Sequence, residues 1–129
     1  MKLVVLVALA LVLAGCNGGT VDRHALTNDA ATIDSINCEA WLLGRATARG
    51  RTTTEFAGEQ AEELGIQAAN FADALSRRPT AAGLERRVRK KAGEAAVLAR
   101  RLRGLQDHPG DRSLAAELAA RFKQAGSCG

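Results

Sequence analysis

The chain has 129 residues and carries 18 Lys and Arg against 14 Asp and Glu, a formal balance of +4 at pH 7. That excess is too mild to imply nucleic acid, and with Trp41, Phe56, Phe71 and Phe122 as its only aromatic residues the chain has few platforms for stacking on bases or sugars. Ala, Leu, Arg and Glu, all good helix formers, dominate and only two prolines interrupt them, so the composition predicts an all-α fold.

Taken from the start, Lys2 supplies a short positive charge, Leu3 to Leu13 is an unbroken apolar run, and small residues lead into Cys16. This is the pattern of an export signal. The run is too short to span a bilayer, for which about 20 residues are needed. Leu13-Ala14-Gly15-Cys16 resembles the lipobox of bacterial lipoproteins, and the resemblance covers the signal segment alone. It implies diacylglycerol transfer to the Cys16 thiol, cleavage before Cys16 and often a third acyl chain on the freed amine. A thiolate is the right nucleophile for such a transfer near neutral pH. Two acyl chains make a stable anchor where one gives marginal, reversible binding. The expected location is therefore a membrane surface outside the cytoplasm, on its periplasmic or extracellular side. The plainer alternative is an ordinary secretory signal in which Cys16 is incidental.

Removing residues 1–15 leaves 114, enough for one domain with its own core. Residues 16–28, with Gly18-Gly19 and no apolar period, are expected to form a lipidated cysteine followed by a tether; the twelve residues after Cys16 reach about 40 Å when extended. The domain is expected over 29–129. A first helix over 29–49, capped by Thr27 or Asp29, would bury Ile33, Ile36, Ala40 and Leu43 and stop at Gly50. Thr52-Thr53-Thr54-Glu55 has the form of a capping box for a second helix over 53–77. Its Ala57, Ala61, Leu64, Ala68, Phe71 and Leu75 alternate at steps of four and three, as in a coiled-coil seam.

Arg78 precedes Pro79 and ends that helix, and Thr80 is expected to cap a third over 80–106. Leu84, Val88, Ala95, Leu98, Leu102 and Leu105 continue the same seam, with Lys91 occupying one of its positions. Asp107-His108-Pro109-Gly110 forms a turn, Asp111 caps a fourth helix over 112–126, and Gly126 ends it. Short loops between four amphipathic helices predict an antiparallel up-down four-helix bundle.

Cys38 and Cys128 remain once Cys16 is set aside. In a chain routed out of the cytoplasm an even pair suggests one disulfide. Counting rise along the helices puts Cys38 ~17 Å and Cys128 ~25 Å below the same end of the bundle, which permits the bridge without demanding it. Two free thiols, or Cys128 paired with another chain, are the alternatives.

Charge divides unevenly: residues 16–76 hold four basic and nine acidic groups, residues 77–129 thirteen and five. Glu55, Glu59, Glu62 and Glu63 suit the positive end of a helix dipole as well as any chemistry. Arg86, Arg87, Arg89 and Lys90, continued by Arg100, Arg101 and Arg103, should form a solvated stripe despite like charges one turn apart. These four are the candidate partner-binding residues, for an envelope protein or an anionic lipid or polymer, with a solubilising surface as the plainer reading. His24 and His108 have no second ligand at metal spacing, and no glycine-rich phosphate loop or nucleophile elbow occurs, so no metal, cofactor or catalytic residue is assigned. The expected function is a non-enzymatic, membrane-anchored binding or accessory module of the cell envelope. A passive spacer with no specific ligand is the alternative.

Overall fold

The computed structural model describes residues 19–129; the expected export signal and Cys16 lie outside the described residues. Four helices follow one another: α1 Arg23–Ala48, α2 Thr54–Arg77, α3 Glu85–Asp107 and α4 Arg112–Gly126. Among the described residues there is no strand, and the one β-type contact is an isolated parallel bridge between Val21 and Thr80. The all-α class and the number of helices agree with the composition and the periodicity.

The first helix begins six residues earlier than the apolar spacing suggests. Asp22 caps it, its Oδ1 accepting the Ala25 N–H at 2.8 Å, and Leu26 lies buried one heptad before Ile33. Part of the segment expected to be a tether is therefore helix. Val21 is fully buried: its N–H donates to Pro79 O at 2.7 Å and its carbonyl accepts the Ala81 N–H at 3.0 Å. The Arg78 Nε–H adds a bond to Gly19 O at 2.8 Å. The chain entering α1 is thus fastened to the connection between α2 and α3.

That fastening accounts for the second boundary that differs. Thr80 does not cap a helix: the residues on either side of it, Pro79 and Ala81, bond to Val21 and hold this stretch extended. Residues 81–84 form a turn with Gly83 at φ 86°, and α3 starts at Glu85, whose carboxylate accepts the Gly83 N–H at 3.0 Å. At α2 the cap is Thr53, which accepts the Phe56 N–H at 3.2 Å. Glu55 therefore stands one residue too early to complete the expected capping box. Gly50, with φ 66°, follows the cap of α1 at Arg49 and stops that helix, as its position suggested.

The most extensive packing joins α2 to α3 and α1 to α4. On α1, Ile33, Ile36, Ala40 and Leu43 are buried; on α4, Ala115, Leu118 and Phe122. Between α2 and α3 the seam of Ala57, Ala61, Leu64, Ala68 and Leu75 meets Val88, Ala92, Ala95, Leu98, Leu102 and Leu105. Ala92 takes the buried place expected for Lys91, and Phe71 is only partly buried at the edge of the core. Small side chains set how closely the pairs approach, since helix separation follows the residues at the contact. A Cβ added at Gly126 would lie 2.7 Å from the Asn37 Cβ and 3.0 Å from Asp34 O. Gly126 is accordingly the last helical residue and not the left-handed stop; Ser127 takes that conformation at φ 52°.

Candidate functional site

Cys38 of α1 and Cys128, just past α4, form a disulfide with their Cα atoms 5.5 Å apart and 90 positions between them in sequence. It lies beside the Gly126 contact, so the end of α4 is held against α1 by both a covalent link and a close backbone approach.

Trp41 lies one turn along α1 from Cys38, partly buried against the core. Arg45 Cζ stands 5.7 Å and Lys123 Nζ 5.1 Å from its ring centroid. The ring faces these two cations, each a cation–π contact worth about 0.5–1 kcal/mol at an exposed site.

Arg86, Arg87, Arg89 and Lys90 are all exposed, in the first two turns of α3. None has an ion-pair partner among the described residues. The ion pairs formed there are Arg77 with Asp73 at 3.0 Å, Arg78 with Asp29 at 3.8 Å, Lys91 with Glu94 at 2.8 Å and Arg121 with Glu117 at 2.9 Å. Glu85 and Glu94 stand four residues from Arg89 and Lys90 on the same helix, a spacing that would allow pairing. Glu85 instead accepts the Gly83 N–H, and Glu94 holds Lys91. No pair links α2 to α3, so the acidic Glu55, Glu59, Glu62 and Glu63 do not neutralise the basic helix by direct contact. Four cations at a helix N-terminus also oppose the helix dipole, which favours negative charge there.

A groove of about 720 Å³ runs between α2 and α3, with Ala72, Ala92 and Ala96 along its floor and Asp73, Arg89 and Arg100 among its polar lining residues. Its lining includes Arg89 of the basic group but none of the other three. The histidines are exposed: His24 contacts Asn28 at 3.2 Å, and His108 follows the end of α3. Among the described residues no three His, Cys, Asp or Glu side chains gather closely enough to hold a metal ion. No described helix is long and apolar enough to cross a membrane.

One buried polar group escaped the sequence reading. Asn37 is 4% exposed, its Nδ2 donating to Ile33 O at 3.2 Å, while its Oδ1 has no partner among the described residues. Leaving such an acceptor unpaired costs about 1–3 kcal/mol. It went unseen because Asn37 falls beside the Ile33–Ile36–Ala40 stripe, where hydrophobic spacing carries no information about an isolated amide.

The domain is thus an all-helical bundle closed by a disulfide, with an unpaired basic cluster on one helix. No protein-family model matches the chain, no curated protein is similar to it in sequence, and no solved structure matches it.

Proposed function

We propose that this chain is a bacterial lipoprotein of the cell envelope. Its signal segment is cleaved before Cys16, the lipidated Cys16 anchors it outside the cytoplasm, and its helical domain acts as a non-enzymatic accessory module. In this reading the four helices run up and down in an antiparallel bundle. Arg86, Arg87, Arg89 and Lys90 meet anionic headgroups, or an acidic partner held beside them.

The observation that carries this reading is the position of Val21. It is clamped between Pro79 and Ala81 only five residues after Cys16, a distance that fully extended chain covers in about 18 Å. The same connection leads into the first turns of α3, where the four unpaired cations stand. An anchor at Cys16 therefore holds the basic cluster near the membrane surface, where each Lys or Arg contributes about 1 kcal/mol toward an anionic leaflet. The 40 Å tether foreseen from the sequence would not have fixed which part of the domain faces the lipid.

Two measurements test this. Palmitate labelling in cells should appear on the native chain and vanish in Cys16→Ala. For the native chain and its Arg86→Gln/Arg87→Gln/Arg89→Gln/Lys90→Gln variant, anchored in vesicles, crosslinking to anionic headgroups or to a neighbouring envelope protein should drop in the variant. It should also fall with salt, since the screening length is about 8 Å at physiological ionic strength. Labelling retained by Cys16→Ala would remove the anchor. Crosslinking unchanged in the quadruple variant would leave a passive spacer.

A further inference from the structure

The groove between α2 and α3 continues into a second hollow of about 470 Å³, and the two share Ala69, Ala99 and Arg100. Along this joined surface runs a second pattern of alternating threes and fours, separate from the buried seam. On α2 it consists of Glu62, Ile66, Ala69, Asp73 and Ser76; on α3, of Arg89, Gly93, Ala96, Arg100 and Arg103. Such spacing keeps side chains on one line of a helix and is the form a helix-to-helix contact takes. Ile66 lies 55% exposed on that line, and an added Cβ at Gly93 would meet nothing within 4 Å.

The charges on this face divide by helix. Around the smaller hollow Glu62 belongs to α2, with Glu59 and Glu63 beside Ile66, while Arg100 and Arg103 belong to α3. Although Glu62 and the two arginines line one hollow, none of them has an ion-pair partner among the described residues. At this end the face is therefore acidic along one edge, basic along the other, and small or apolar between.

A two-fold interface joins the same patch to itself, so the patch must be self-complementary. We propose that a second copy of this chain docks here, related by a two-fold axis running along the groove. That rotation lays α2 of each copy over α3 of the other, bringing each Glu62 to the other copy's Arg100 and Arg103 and closing Ile66 against the small residues. An axis across the groove would instead set α2 on α2 and lose the charge match. The face is about 21 Å long and two helix diameters, about 20 Å, wide, the size of a weak and reversible association. The chosen axis also leaves Val21, clamped beside the Arg78 and Thr80 end of the groove, at the same end of both copies. Pairing does not need the anchor, but two copies anchored in one membrane would meet at raised effective concentration.

Sedimentation equilibrium of the full chain in density-matched detergent should show a monomer–dimer equilibrium; a chain still monomeric at about 1 mM would overturn the pairing. Glu62→Arg and Arg103→Glu should each weaken it at least about tenfold, because the two-fold axis creates every like-charge contact twice. Both positions are exposed, and circular dichroism should read native helix content in each variant. Mixed in equal amounts, the two variants should pair again at near-native strength, since each supplies the charge the other has lost, which no defect of folding could imitate. Dimers indifferent to both substitutions, or no recovery on mixing, would remove the interface from this face. Cys16→Ala should dimerise as the native chain does; dimers lost with it would mean association through the anchor alone and would overturn the docking as well.

Discussion

Gly126 shows how much a single hydrogen atom can decide. A methyl group there would meet Asn37 Cβ at 2.7 Å and both Asp34 O and Cys128 Sγ at 3.0 Å, and a backbone oxygen cannot swing aside. Gly126→Ala should therefore destabilise the domain by about 1–3 kcal/mol, the usual cost of overpacking. Gly93, on the exposed side of α3 with nothing within 4 Å of an added Cβ, should respond in the opposite sense. Gly93→Ala should stabilise by about 0.5–1 kcal/mol through helix propensity. Urea unfolding of the two variants side by side measures both. From sequence, Gly126 was read as the helix stop because glycine is the commonest left-handed residue there. The close approach of α1 reserves it for the helix and hands that role to Ser127.

Among elements, the interiors of the helices were legible and their starts less so. α4 begins and ends where its turn, cap and apolar spacing placed it. The buried stripes of α1, α2 and α3 follow the alternating steps of three and four closely, because burial on a helix is a periodic property of one segment. The starts of α1 and α3 were not legible because each depends on the other. Val21 and Thr80 pair across 59 positions, and no local pattern announces such a partner. The cap of α2 turned on a choice among three consecutive threonines, and a prediction belongs here. Thr53→Ala should cost about 1 kcal/mol through loss of the bond to the Phe56 N–H, whereas Thr54→Ala, at the first helical position, should fall within about 0.5 kcal/mol of neutral. Thermal unfolding of both distinguishes the two registers. The basic residues of the candidate surface were foreseen as exposed, since all lie off the seam of α3; the buried Asn37 amide was not, because apolar spacing says nothing of a single polar side chain beside the stripe.

For the molecule as a whole, the disulfide is the longest-range constraint. Closing a loop across 90 positions gives roughly 4–5 kcal/mol in the chain-entropy model, an upper figure that native proteins rarely reach in full. The double variant Cys38→Ala/Cys128→Ala should lose about 2–5 kcal/mol and fray first at the end of α4, where Gly126 then has only packing to hold it. Amide hydrogen exchange across residues 119–127 would detect this; protection equal to that of the native chain would mean the packing alone suffices.

The two fastenings, Val21 on the α2–α3 connection and Cys38 on Cys128, also set how the domain would carry a mechanical load. Tension applied from the N-terminal side and resisted at Gly129 first meets the Arg78 bond to Gly19 and the two backbone bonds of Val21, then peels α1 as far as Cys38. There it passes through the sulfur bridge straight to the last residues of the chain, and α2, α3 and the whole of α4 lie outside the covalent path that carries it. In an optical trap the oxidised domain should pay out only the twenty residues from Gly19 to Cys38, about 70 Å of chain, before stiffening. After reduction the whole domain should unravel, so the bond makes the bundle a load-bypassed body hung on a short extensible leader.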